Sequence, residues 1–100
     1  LRAGLLRRVV DAWLEQAPSL YSDMQMAARS ADGALLYRAA HSLKNGSANV
    51  GARQLSELCA ELEQRGRHGQ LDDLAQPMAE LERLYQGTSA ALRDLQAQEA

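Results

Sequence analysis

The chain has 100 residues, a formal net charge of −2 and a composition that is 46% hydrophobic but contains no Phe and only 4% aromatics. That length holds one domain with a single modest core, and the acidic balance argues against general binding to nucleic acid or to an anionic membrane. Three Val, one Thr and no Ile leave little material for a sheet, whereas Leu and Ala are abundant and favour helix. The expectation is an all-α domain. The single cysteine, Cys59, has no partner within the chain, which suits a reducing compartment. No apolar run approaches the roughly 18 residues that span a bilayer, and no signal peptide is visible. A cytoplasmic location without direct membrane contact is expected.

In chain order, Leu6, Val9, Val10, Trp13 and Ala17 recur at helical spacing and predict a first helix over about residues 2–16. Pro18 is expected to end or kink it, and a second helix over about 19–31 carries Leu20, Met24, Ala27 and Ala31 on one stripe. Asp32-Gly33 closes that segment, and Asp32 can also cap the next helix. The third helix, about 34–50, buries Leu36, Ala39, Ala40, Leu43, Ser47 and Val50, and Gly51 fits its stop. The fourth, about 53–65, uses Leu55, Leu58, Cys59 and Leu62. Arg65, Arg67 and His68 complement the negative end of that helix. In the last helix Leu74, Met78, Leu81, Tyr85, Thr88, Leu92 and Leu95 form a heptad seam, with Pro77 predicting a late start or slight kink. The architecture expected over residues 1–100 is an up-down four-helix bundle with an additional N-terminal helix, in one domain. Trp13, Tyr85 and Cys59 read as core or cap residues. The clusters Glu57/Glu61/Glu63 and Glu80/Glu82 read as solvated helix faces.

The chemistry concentrates in the third helix, at Ala40-His41-Ser42-Leu43-Lys44-Asn45-Gly46-Ser47-Ala48-Asn49-Val50-Gly51. His41 shares a face with Tyr37, Arg38, Lys44, Asn45 and Ala48. It stands about 200° around the helix from Leu43, so a buried Leu43 turns His41 to solvent. Imidazole titrates near neutral pH, so a ring nitrogen lone pair is available to attack phosphorus. Phosphoryl transfer needs chiefly alignment and charge stabilisation. Lys44 can offset charge on the incoming group, Arg38 can do so at longer range, and Gly46 and Ala48 keep the surface low for a partner. The residues alone also permit an ordinary surface histidine, a solvated lysine and a glycine placed for helix packing. There is no Gly-rich phosphate loop, so an autonomous ATP-dependent kinase is not expected. No His/Cys/carboxylate spacing predicts a metal site.

Across nearly its full length the sequence resembles the histidine-containing phosphotransfer (HPt) domains of two-component phosphorelays. The family's recurring core is matched at His41, Leu43, Lys44, Ser47, Ala48, Val50 and Gly51, and the run from Leu55 to Glu63 (Leu-x-x-Leu-Cys-x-x-Leu-Glu) also looks like the family's. The usual glycine four places after the histidine is Asn45 here, with Gly46 one place late; the Asn45 side chain can hydrogen-bond a phosphoryl group. The resemblance implies that His41 accepts a phosphoryl group on its outer ring nitrogen from a receiver-domain aspartate and passes it to a response-regulator aspartate. Receivers are the implied partners, and they would supply Mg²⁺; the chain would need no cofactor or metal of its own. The resemblance places docking on the helices around the histidine, with Met24 and Ala28 as candidate apolar contacts. It further implies the C-terminal domain of a hybrid sensor histidine kinase, and because the heptad seam of the last helix is needed for the internal core, a monomer is expected. The alternative is a helical interaction module that docks a receiver or another protein without phosphotransfer.

Overall fold

A computed structural model of the protein describes residues 2–99, and these form four α-helices. They are α1 (Arg2–Ser30), α2 (Gly33–Asn49), α3 (Arg53–Arg67) and α4 (Ala75–Glu99). Each packs on its chain neighbours, and α4 returns to α1, closing an up-down bundle 43 × 20 × 19 Å in extent. The core runs along the bundle axis. It is made by Val10, Trp13, Ala17, Met24 and Ala27 of α1, Leu36, Ala39, Ala40 and Leu43 of α2, Leu55, Cys59 and Leu62 of α3, and Leu81 and Leu92 of α4.

The all-helical expectation holds, but the additional N-terminal helix does not appear as a separate element. The first two expected segments are one continuous 29-residue helix with Pro18 inside it. The buried stripe explains why. Val10, Trp13, Ala17, Met24 and Ala27 keep helical phase across the proline, while Pro18 itself lies on the exposed face. An interior proline costs about 3 kcal/mol, and burying Trp13 and Met24 on one continuous stripe outweighs that. Pro77 is accommodated more simply. It lies in the first turn of α4, where backbone N–H groups have no partner within the helix.

The α1–α2 turn also differs in detail from the expectation. Asp32 caps α2, its carboxylate accepting from the Leu35 amide at 3.0 Å. The left-handed residue that closes α1, however, is Ala31 (φ 53°) rather than Gly33. Gly33 is needed for space. A Cβ there would lie 2.7 Å from the carbonyl oxygen of Gly66, and one on Gly66 would lie 2.7 Å from the Tyr37 nitrogen. At this crossing α2 and α3 touch backbone to backbone.

Two interior polar features complete the packing. The Trp13 indole N–H donates to the buried Ser47 hydroxyl at 3.2 Å, which satisfies both groups between α1 and α2. On the α1–α4 side, Tyr85 stacks on Tyr21 with ring centroids 4.2 Å apart and lies 5.9 Å from Trp13. Trp13 and Tyr85 therefore serve packing, as expected. Cys59 is fully buried, and burial, with the nearby Glu63 charge, pushes its thiol up to about 12. It is an inert core residue. No helix among the described residues is long and apolar enough to cross a membrane.

Candidate functional site at the α2–α3 contact

The phase of α2 is set by Leu36, Ala39, Ala40, Leu43 and Ser47, all buried. Residues between them must face outward, and Arg38, His41, Ser42, Asn45, Ala48 and Asn49 form an exposed stripe along the helix. The His41 side chain is 49% exposed. Its ring lies beside that of Tyr37, with centroids 6.2 Å apart and planes inclined by 24°. The expectation that a buried Leu43 turns His41 to solvent is met.

The inner side of the imidazole is occupied. Nδ1 lies 2.7 Å from Oε2 of Glu63 on α3, and the Lys44 ammonium donates to the other oxygen, Oε1, at 2.6 Å. Only 6% of the Glu63 side chain is exposed. Sequence reading placed Glu63 on a solvated face, and the structure corrects this: the carboxylate is buried and bound by two side chains of α2. The signal was present in the helical phase. Leu55, Cys59 and Leu62 mark the buried stripe, and Glu63 follows Cys59 by four residues and precedes buried Gly66 by three. Local charge density suggested a solvated cluster, whereas the phase pointed inward.

Burial alone would raise the Glu63 carboxyl, but hydrogen bonds and charge from Lys44 and His41 outweigh it and hold the group below the ordinary carboxylate range. An ionised carboxylate only accepts hydrogen bonds. Nδ1 must then carry the ring proton, which leaves the lone pair of a neutral imidazole on Nε2. That nitrogen lies on the exposed side of the ring, 3.4 Å from the Asn45 amide nitrogen. Glu63 thus does three things: it fixes the tautomer, orients the ring, and can compensate positive charge that develops when Nε2 forms a new bond. Lys44 neutralises the carboxylate and holds a positive charge one helical turn from His41.

The remaining expected residues fall in two places. Arg38 and Ala48 share the exposed stripe with His41. Gly46 instead turns towards α1, and a Cβ there would meet Trp13 Cδ1 at 3.6 Å, an ordinary contact. It lies in a groove of about 340 Å³ between α1 and α2, whose lining includes Trp13, Gln16, Leu20, Ser42 and Asn49. Met24, expected as a docking contact, is wholly buried, and the methionine that α1 exposes is Met26. Ala28 is half-buried. Among the described residues no group of three or more His, Cys, Asp or Glu side chains is arranged to hold a metal ion.

Comparison with known proteins bears on the fold and the family. Among curated proteins none matches the sequence. The fold is similar to that of histidine-containing phosphotransfer protein B (HptB) from Pseudomonas aeruginosa PAO1, with a TM-score of 0.84 and 25% identity over 92% of this chain and 80% of that one. The family model of the Hpt domain matches residues 8–95, a span that contains every residue of the site. With a solvent-facing histidine on the second helix of a closed four-helix bundle, the chain belongs to the Hpt domain family, the histidine phosphotransfer modules of phosphorelays.

Proposed function

We propose that His41 is the phosphoryl acceptor of a relay between two receiver domains. Nε2 attacks the phosphorus of an aspartyl phosphate on the donor receiver. The N–P bond forms as the P–O bond to the aspartate breaks, and the carboxylate leaves with the bonding electrons. The Nδ1 proton stays on the ring, and the positive charge of the phosphorylated imidazole is balanced by Glu63. Reversal of the same step onto an aspartate of a response regulator completes the relay. Lys44 offsets negative charge on the transferring group from its place on Glu63, and Arg38 does so at longer range. The receivers supply the aspartates and Mg²⁺, and this chain supplies neither an ATP site nor a metal.

The observation that carries the reading is the pairing of an outward Nε2 with an Nδ1 held at 2.7 Å by a buried carboxylate. A surface histidine without a chemical task has no need of a buried, charged partner, because placing a carboxylate there costs desolvation energy. The partner face consists of the exposed stripe of α2 and the adjoining groove on α1, with Ala48 and Gly46 keeping it low.

The test is transfer of labelled phosphate from phosphorylated receiver domains to the wild type and to His41→Gln, with folding of both verified by circular dichroism. Acid-labile label on the wild type and none on the folded variant is expected. Equal receiver binding by both proteins without label on either would instead identify a docking module.

A further inference from the structure

Asn45 stands at a place where its side chain meets the reacting nitrogen. Its amide nitrogen lies 3.4 Å from Nε2 of His41, one helical turn back along the exposed stripe. The tautomer dictates which end of the amide faces the ring. With the proton held on Nδ1 by Glu63, Nε2 presents a lone pair, which repels a carbonyl oxygen and attracts an N–H. Asn45 is therefore a donor to the nucleophile itself. At 3.4 Å this is a long, weak hydrogen bond, and Asn45 is exposed, so its side chain is free to swing.

Phosphorylation changes what that donor sees. The Nε2 lone pair becomes the N–P bond and ceases to accept, while anionic phosphoryl oxygens appear just beyond it. A hydrogen bond to an ionised acceptor is roughly twice as strong as one between neutral groups. The amide thus gains more from the phosphorylated ring than it gives up at the free one. Lys44 is committed to Glu63 at 2.6 Å, and the Tyr37 ring lies along the imidazole. Arg38 is the cation on the exposed stripe itself. Of these neighbours, Asn45 is the one in contact with Nε2.

We propose that Asn45 sets where the phosphoryl group rests: its amide donates to Nε2 while the ring is free and to a phosphoryl oxygen once the N–P bond has formed, which biases the transfer equilibrium towards His41. The inference rests on the phosphotransfer reading above and adds a positioning residue that biases it thermodynamically.

The test uses phosphoimidazole as donor and free imidazole as competing acceptor. The exchange, His41 plus phosphoimidazole giving phospho-His41 plus imidazole, keeps an N–P bond on both sides, so its equilibrium constant reports the protein surroundings. ³¹P NMR reads the ratio for the wild type, Asn45→Ala and Asn45→Asp, each checked for folding. The expected result is a constant lowered about three- to tenfold in Asn45→Ala, and lowered further in Asn45→Asp, where a carboxylate of nearly the same shape faces the phosphoryl group. In the unphosphorylated proteins, the ¹⁵N resonance of neutral Nε2 should lose its hydrogen-bonded shift in Asn45→Ala. An unchanged equilibrium constant in Asn45→Ala, on a wild type that does become phosphorylated, overturns the proposal and leaves the relay reading intact. An unchanged Nε2 resonance overturns its resting-state half. A folded wild type that takes no phosphoryl group from phosphoimidazole or from any receiver overturns the relay reading and the proposal with it.

Discussion

The α1–α4 and α2–α3 contacts of this bundle are built from different materials. Between α1 and α4 the gap is filled by large rings, with Tyr85 packed on Tyr21 and Trp13. Between α2 and α3 the backbones meet at Gly33 and Gly66, and within two turns of that crossing the space holds a carboxylate shared by an imidazole and an ammonium group. Aromatic burial supplies stability but tolerates adjustment, because rings can slide and tilt at little cost. A 2.7 Å hydrogen bond does not tolerate a shift of an ångström. The reactive group is thus placed on the contact whose geometry has the least freedom, and the aromatic packing is left to the other side.

This contrast predicts separable failures. The largest effect on stability should come from Trp13→Ala, which empties a buried ring site and orphans Ser47. A loss of about 3–5 kcal/mol in urea-induced unfolding is expected, while the Nδ1–H···Glu63 signature in ¹⁵N spectra persists in the molecules that remain folded. Loss of that signature would show that the two contacts are not independent. Gly66→Ala should cost less, about 1–3 kcal/mol by overpacking, yet it should disturb the His41 signature, because the new methyl group must push Tyr37 and the rest of α2 away from α3. An undisturbed signature would mean that the glycine contact does not set the site.

The smallest effect is a dependence on pH. The Glu63 carboxyl is held below its ordinary value of 4.5 in the folded protein. Its contribution is therefore fully present above that value and is lost as the pH falls through the lowered one, where the folded chain also takes up the proton. Glu63→Gln carries no such group. The stability difference between wild type and Glu63→Gln should narrow on acidification from neutral pH to below 4.5, followed by urea midpoints. A difference that is constant across that range would show that the ionised form of Glu63 is not what stabilises the fold.

Much of the bundle was legible in the sequence because its information is local. The phase of Leu36, Ala39, Ala40 and Leu43 turns His41 outward, and Asp32 announces the start of α2. The reading failed where a local signal competes with packing that only the assembled bundle creates. Pro18 is a breaker by its own chemistry, but the stripe it interrupts is buried on both sides of it. Gly33 and Gly66 resemble turn glycines, and their meeting joins residues far apart in the chain. Met24 looked available for docking because an apolar residue on an amphipathic helix does not declare which neighbour covers it. Glu63 was the costliest miss for function, since the histidine was identified without the group that fixes its proton.

The crossing of Gly33 and Gly66 also bears on how the site responds to its surroundings. Ion pairs weaken as dissolved salt rises, most of all where they are exposed. Hard contact between two backbones is not screened at all. The relative height of α2 and α3, and with it the alignment of His41 over Glu63, is fixed by exclusion of volume more than by attraction of charge. The imidazole should therefore keep its orientation over a wide range of ionic strength, even where the encounter with a charged partner becomes slower.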